Sequence, residues 1–465
     1  MNSTYERKID ASLIMSIVAT GIMSFAGIVV ETAMNVTFPA LMREFNVSTS
    51  SVQWITTGYL LILALIIPIS SYLKKNYSNK TLFTAAIVMF IAGTVLAAFT
   101  PYFSLLLLSR VLQGIGTGIA LPLMFNITLE QVPGKQLGFI IGIASLITAM
   151  APAVGPSAGG FLVSLYGWRM IFIALLPFLI FSLCAGIYSI RQVTDTRKTK
   201  FAVTDYLFMS ISFVSFIFAT TLPAKYGWLS IPVCTLLLIS ILAVALFCYR
   251  SLKQAEPLLQ VKAFAVPAFS CSLISVLHLQ FICLALGFLL PNYAQLTRGE
   301  QAFYAGIILL PGCTLGALLA PVSGKMLDHF GAVAPISTGN ILMIISCFLF
   351  AFFYNSASYT ALVCFYIFFA AGQSAAIGNL IAYSLSHLPE KIKSDGNAII
   401  NTMQQLAGAA GTAVITSVVA SAQFADQSNL AASTEVGTGT ALNLLAVMSV
   451  TMLCFSLLAF KFGQK

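Results

Sequence analysis

The chain has 465 residues, 59% of them hydrophobic and 8% charged, with a formal net charge of +9. Soluble domains carry about 25% charged residues, and a soluble core of this size would need far more polar surface to cover it. A soluble enzyme, a disordered chain and a nucleic-acid binder are all disfavoured, the last provided that the basic residues sit in short loops between apolar segments.

They do. A hydrocarbon core of about 30 Å needs roughly 20 apolar residues in a helix. In chain order, fourteen segments meet that length: 13–36, 52–73, 82–100, 103–126, 137–164, 169–190, 203–222, 230–250, 267–291, 302–322, 335–354, 358–386, 397–422 and 440–461. They take up about two thirds of the chain and leave no room for a folded soluble domain. Their continuous apolarity excludes a membrane β-barrel, whose strands read as ten-residue alternations. The expected fold is an all-α integral membrane protein of 14 transmembrane helices. The leading MNSTYERKIDASLIM has no small-residue cleavage site after a short apolar core, so the first apolar run reads as a retained span. The nine cysteines lie in apolar stretches without metal-ligand spacing and read as small hydrophobes.

An even number of spans puts both termini on one side, and the positive-inside rule makes that side cytoplasmic. The cytoplasmic segments then hold 18 basic residues: Arg7, Lys8, Lys74, Lys75, Lys80, Lys135, Arg191, Arg197, Lys198, Lys200, Arg250, Lys253, Lys262, Lys325, Lys391, Lys393, Lys461 and Lys465. The external segments hold 4, namely Arg43, Arg169, Lys225 and Arg298, and Arg110 alone stands inside a span. The basic balance is thus topology rather than a nucleic-acid patch.

The loop after the tenth span reads GKMLDHFGAVAP, with Gly324, Asp328 and Gly331 spaced G-x3-D-x2-G. At the corresponding place after the second span, SYLKKNYSNKTLF puts Ser71, Lys75 and Ser78 at those positions. Corresponding loops point to two six-span halves, 1–195 and 256–465, with two inserted helices and a linker over 196–255. Parallel halves around a midplane site are a transporter architecture.

Further motifs follow the same order. They are VETAMNVTFPAL (Val30–Leu41), LSRVLQGIGTG (Leu108–Gly118), APAVGPSAGG (Ala151–Gly160), GWRMIF (Gly167–Phe172), EPLLQVKAF (Glu256–Phe264) and DGNAIINTMQQLAGAAG (Asp395–Gly411). Through them the chain resembles the major facilitator superfamily, and within it the fourteen-span drug:proton antiporters, over nearly its whole length. The resemblance implies a multidrug efflux transporter of a bacterial plasma membrane. It would need no cofactor, a proton gradient being its energy source. Its partners would be lipophilic or cationic small-molecule drugs, protons and membrane lipids, with no nucleic acid, and it would act as a monomer. It also implies that Asp328 is a loop latch, a solvated loop charge being the plainer reading. The first-half loop departs from the family, since Lys75 stands at the place of its Asp, so the latch there is weaker or uses other partners.

An ionisable residue inside a membrane is costly and marks function by default. Two stand well inside spans. Glu31 lies about five residues, or ~8 Å, from the outer end of the first, and Arg110 about seven residues, or ~10 Å, from the outer end of the fourth. An apolar wall penalises the charged carboxylate and a nearby cation favours it, so a proton and a lipophilic cation can compete for Glu31. Glu31 is the expected proton and substrate site and Arg110 its tuning partner; alternatively the two form a fixed ion pair that only orders the helices. Asn35, one turn from Glu31, lines the cavity or bonds a neighbouring helix, and Gln113 is placed to orient Arg110. Glu130 is a secondary proton-site candidate or a helix-end charge. In the fifth span Gly155, Pro156, Gly159 and Gly160 permit close approach and bending at the seam between halves. With Gly324, Asp328 and Gly331 they form the expected conformational motifs. His278 relays protons or packs against a neighbour. Gln373, Asn379, Asn401, Gln404 and Gln405 contact substrate or zip helices together. Trp54 and Tyr59 are placed to stack on a flat cation. No P-loop or metal-ligand cluster appears, so the expectation is a transporter and not an enzyme. The second reading is a major-facilitator exporter of one physiological solute, such as a peptide, amino acid or siderophore.

Overall fold

A computed structural model describes residues 10–193, 196, 198–254 and 257–463, and within 134–149 it leaves the side chains of 134, 135, 138, 139, 141, 142, 145, 146 and 149 undescribed. Arg7, Lys8, Arg197, Glu256, Lys465 and the Lys135 side chain therefore lie outside the described residues.

Apolar length builds the helices and local chemistry ends them. Fourteen long helices run along the described chain: α1 (Ala11–Phe45), α2 (Thr49–Asn76), α3 (Asn79–Phe99), α4 (Phe103–Gln131), α5 (Gly134–Tyr166), α6 (Arg169–Ser189), α7 (Val203–Thr221), α8 (Ile231–Lys253), α9 (Pro267–Leu296), α10 (Ala302–Phe330), α11 (Val333–Phe353), α12 (Tyr359–Ser386), α13 (Glu390–Ala425) and α14 (Leu430–Gly463). Among the described residues, thirteen of them are identified as long and apolar enough to cross a membrane, and no strand occurs. Asp10 caps α1 by accepting the Leu13 N–H at 2.8 Å and pairs with Arg191 at 2.8 Å, tying the start of α1 to the end of α6. The Leu13 N–H and, more weakly, Arg191 hold the Asp10 carboxyl below the usual carboxylate range.

The helices outrun the apolar segments at several ends. α1 continues nine residues past 36, through a 3-10 turn at Met34–Thr37 and on from Phe38. Pro39 falls in the first turn of that last segment, where its missing N–H costs nothing. Glu31 is therefore near the middle of a 35-residue helix and not five residues from its end. α14 starts ten residues before 440, its polar first turns satisfied locally: the Thr434 and Thr438 hydroxyls donate to carbonyls of their own helix at 2.6 and 2.7 Å, and the Ser433 hydroxyl to the Asn429 carbonyl just before it at 2.9 Å.

The packing repeats. α1 packs on α4, α5 and α6, α3 on α4 and α6, and α2 on α4; α9 packs on α12, α13 and α14, α11 on α12 and α14, and α10 on α12. Each pair in the first set has its counterpart eight helices on. Further contacts join the sets: α2 against α13, α5 against α10, and the outer part of α1 against α9 and α10. α7 and α8 pack on each other, with α7 leaning on α13 and α2. The ends of α2, α6 and α14 and the start of α1 share one face, here called the terminal face.

Candidate functional site

The seam between α1–α6 and α9–α14 holds the two charges. Arg110 of α4 is 1% exposed. An unpartnered buried guanidinium costs several kcal/mol, and three contacts offset this. Its Nε donates to the Ile55 carbonyl at 2.9 Å, its Nη1 donates to Gln113 Oε1 at 2.6 Å, and it lies 4.2 Å from the Tyr59 ring centroid. Gln113, oriented in turn, donates to Thr94 Oγ1 at 3.1 Å, and Thr94 donates to the Phe90 carbonyl at 2.8 Å. The Tyr59 hydroxyl donates to Thr117 Oγ1 at 2.8 Å and to the Gly27 carbonyl at 3.0 Å. Arg110 is thereby stitched to α2, α3 and α4, while its Nη2 has no partner among the described residues.

Glu31 is the opposite case. It is 7% exposed and among the described residues makes neither a hydrogen bond nor a contact ion pair. Arg110 and Tyr59 of its own helix set and Cys283 of α9 lie in its neighbourhood. Among the described residues no contact ion pair joins Glu31 to Arg110, so the fixed ion pair considered from sequence is not formed in this structure. The facing wall is formed by Cys283, Cys313 of α10, and Tyr366 and Gln373 of α12. Gln373 Nε2 donates to Cys283 Sγ at 3.0 Å, and Cys313 Sγ lies 3.5 Å from the Tyr366 hydroxyl.

Toward the face opposite the termini the seam is shut. Asn35 accepts from Thr56 Oγ1 at 3.0 Å through its side chain, and its carbonyl accepts from Asn292 Nδ2 at 3.2 Å. Gln295 Nε2 donates to the Val36 carbonyl at 3.0 Å, Thr49 Oγ1 to Gln423 Oε1 at 2.7 Å, and the Phe303 N–H to Ser164 Oγ at 3.1 Å. Apart from the Thr56–Asn35 bond, which lies within the first set, these are the hydrogen bonds between the two helix sets among the described residues. The α5 glycines pack on both sides of this closure, Gly155 and Gly159 on α1 and Gly160 on α10. A Cβ on Gly155 would meet Thr32 and one on Gly159 would lie 2.8 Å from the Ala33 Cβ, both beside Glu31 on α1. Gly160 rests directly on the Ala302 carbonyl of α10, and Gly306 of α10 on the Pro156 carbonyl.

On the terminal face, Glu130 is held by Lys74 Nζ at 2.6 Å and Asn79 Nδ2 at 3.3 Å, tying α4 to α2 and α3. Lys75, at the place of the family's Asp, lies in the neighbourhood of Asp395 in the second turn of α13. Gly331 ends α10 at φ +71°, a left-handed position that favours glycine, and Gly324 has open space around it. Asp328 is exposed and, among the described residues, makes no hydrogen bond or ion pair.

The other polar and aromatic candidates make contacts with neighbouring helices or with their own. His278 Nδ1 is 2.8 Å from the Ile274 carbonyl and its ring packs on Phe455. Asn379 zips α12 to α10 through Ser323 Oγ at 2.8 Å, and exposed Asn401 donates to its own helix at 2.9 Å. Trp54 stacks on Phe218 of α7 at 4.7 Å, and Tyr59 stacks on Arg110 rather than being left open for a ligand. Sequence reasoning missed Thr94, Thr117, the Ile55 carbonyl, Cys313 and Tyr366. Nothing in their local sequence separates them from other apolar-helix residues; only the packing selects them.

Two helix sets meeting at a seam with buried, opposite charges form the architecture of a membrane transporter. The chain belongs to the Major Facilitator Superfamily, whose family model matches residues 20–412. It is 34% identical over 410 residues to the lincomycin resistance protein LmrB of Listeria innocua, covering 88% of this chain and 87% of that one. It is 26% identical over 429 residues to the multidrug resistance protein B homolog of Mycobacterium tuberculosis, covering 90% and 78%. Among solved structures it resembles a bacterial homolog of the human lysosomal transporter Spinster (TM-score 0.71, 14% identity, 98% of each chain). It also resembles a peptide transporter POT bound to sulfate (TM-score 0.70, 14% identity, 97% and 95%).

Proposed function

We propose that this transporter is a proton-coupled multidrug efflux antiporter that exports lipophilic, cationic compounds by alternating access. The observation that carries the reading is Glu31: a buried seam carboxylate without hydrogen bond or ion pair among the described residues, beside an Arg110 that is anchored on three helices. An uncompensated buried charge is expensive. A carrier that reoriented with Glu31 ionised and empty would take that charge through a closed seam. Reorientation therefore requires a proton or a cation on Glu31, and a site that must hold one or the other exchanges them. Gln113 fixes Arg110, and Asn35 belongs to the closure toward the far face.

In this reading α5 is the fifth of fourteen spans, and residues 1–195 and 256–465 are two six-helix halves joined by the α7–α8 pair within 196–255. The terminal face is cytoplasmic, the membrane is a bacterial plasma membrane, and the state described is open to the cytoplasm. The protein works as a monomer without a cofactor. Glu130, tied to Lys74 and Asn79, is a structural charge rather than a second proton site.

The test is ethidium efflux from cells expressing the chain, with lincomycin added as a competitor because relatives carry its name. Efflux that stops on addition of a protonophore supports the reading. Efflux indifferent to the protonophore removes proton coupling, and no efflux across several cationic dyes favours an exporter of a single solute.

A further inference from the structure

A cavity of about 300 Å³ lies between the α7–α8 pair and α13, apart from the Glu31 seam. This is within the size range of ligand sites. Phe213, Phe247, Leu259 and Leu406 form its buried apolar walls, and exposed Val244 and Phe264 form its rim. Leu259 and Phe264 belong to the α8–α9 connection on the terminal face, so the mouth opens toward the leaflet on that side. Two serines of its floor, Ser212 and Ser240, bond each other across α7 and α8. The hydroxyl of Thr402, 1% exposed in the α13 wall, has no partner among the described residues. An apolar slot of this size does not hold ordered water.

The charges at the mouth decide the occupant. Lys262 stands in the 3-10 turn Val261–Ala265, next to rim and wall residues, and Lys253 ends α8; neither is paired with a carboxylate among the described residues. Lys253 lies over the Tyr249 ring instead. The third cation, Arg250, is neutralised by buried Asp205 at 2.7 Å. A lipophilic cation entering here would meet two like charges, whereas an anionic headgroup would meet two partners.

We propose that this cavity holds an acyl chain of an anionic phospholipid, its phosphate at Lys253 and Lys262 and its ester oxygen within reach of the Thr402 hydroxyl. The lipid fills the gap between the α7–α8 pair and α13 and so fastens the pair to the helix that joins α2 at the seam. The site is independent of Glu31 and of what is transported.

The experiment is native mass spectrometry of the full chain, released from vesicles of equal phosphatidylglycerol and phosphatidylcholine. The expected result is one retained phosphatidylglycerol per chain in preference to phosphatidylcholine. Replacing both Lys253→Gln and Lys262→Gln weakens phosphatidylglycerol binding roughly 30-fold, from about fivefold per surface lysine, and leaves phosphatidylcholine retention unchanged. Val244→Trp, at an exposed position that leaves the packed walls intact, blocks the slot and lowers retention of both lipids. Equal retention of the two lipids by the unaltered chain, or unchanged retention in Val244→Trp, overturns the proposal. So does release of the lipid by tetraphenylphosphonium, which would make the cavity a portal for cations.

Discussion

Gly160→Ala is expected to open the far face without unfolding the protein. A Cβ at this position would meet the Ala302 carbonyl group and lie 3.0 Å from the Phe303 Cα. These are backbone atoms of α10, so no side chain can rotate away. Inserting one methyl group into such a contact costs about 1–3 kcal/mol. Because α5 and α10 belong to different helix sets, the penalty exists only while the far face is shut and vanishes when the sets part. A differential energy of that size shifts a two-state balance by about 5–150-fold. Gly306→Ala, which meets the Pro156 carbonyl from the other side, shifts it the same way. Gly155→Ala presses on Thr32 and Gly159→Ala on Ala33 within one set, so they lower stability in both states and leave the balance alone. Gly324→Ala, with open space around it, changes neither. The assay is the distance distribution between spin labels at Arg43→Cys and Gln427→Cys, exposed positions on the far face of the two sets. Gly160→Ala should add a longer distance that Gly155→Ala lacks. A distribution unchanged in Gly160→Ala, or shifted equally by Gly155→Ala, would refute the argument.

Two shorter predictions concern the charges. Gln113→Ala leaves Arg110 Nη1 and Thr94 without their buried partner, and losing a hydrogen bond to a charged group costs about 1.5–3 kcal/mol; a lowered thermal midpoint of the purified protein checks this, while Gln113→Glu, which keeps the acceptor, should lose less. Lys75→Glu places a like charge opposite Asp395 and should loosen the terminal face by about 0.2–1 kcal/mol, an effect that fades with salt and is reversed by adding Asp395→Lys, as read by cross-linking between α2 and α13.

Much of the fold was legible because the bilayer imposes a length on every apolar run, and each of the fourteen expected segments coincides with a long helix. The ends were less legible because hydropathy does not register polar residues that satisfy themselves. Ser433, Thr434 and Thr438 extend α14 in this way, and Pro39 looks like a stop although it sits where a helix tolerates it. Glu31 and Arg110 stood out as costly charges in apolar runs. Their relation did not, since sequence spacing cannot say that Arg110 is held by Ile55, Tyr59 and Gln113 while Glu31 is left free. The unusual first-half loop became intelligible only in three dimensions, where Lys74 meets Glu130 and Lys75 comes near Asp395.

The central claim is that Glu31 carries the exchange of proton for drug. Its most direct test is proton movement on adding ethidium or tetraphenylphosphonium to energised everted vesicles that contain the unaltered chain or Glu31→Gln. The account predicts substrate-driven proton release with the unaltered chain and none with Glu31→Gln, the variant still being folded and inserted. Proton release of equal size in Glu31→Gln would contradict it.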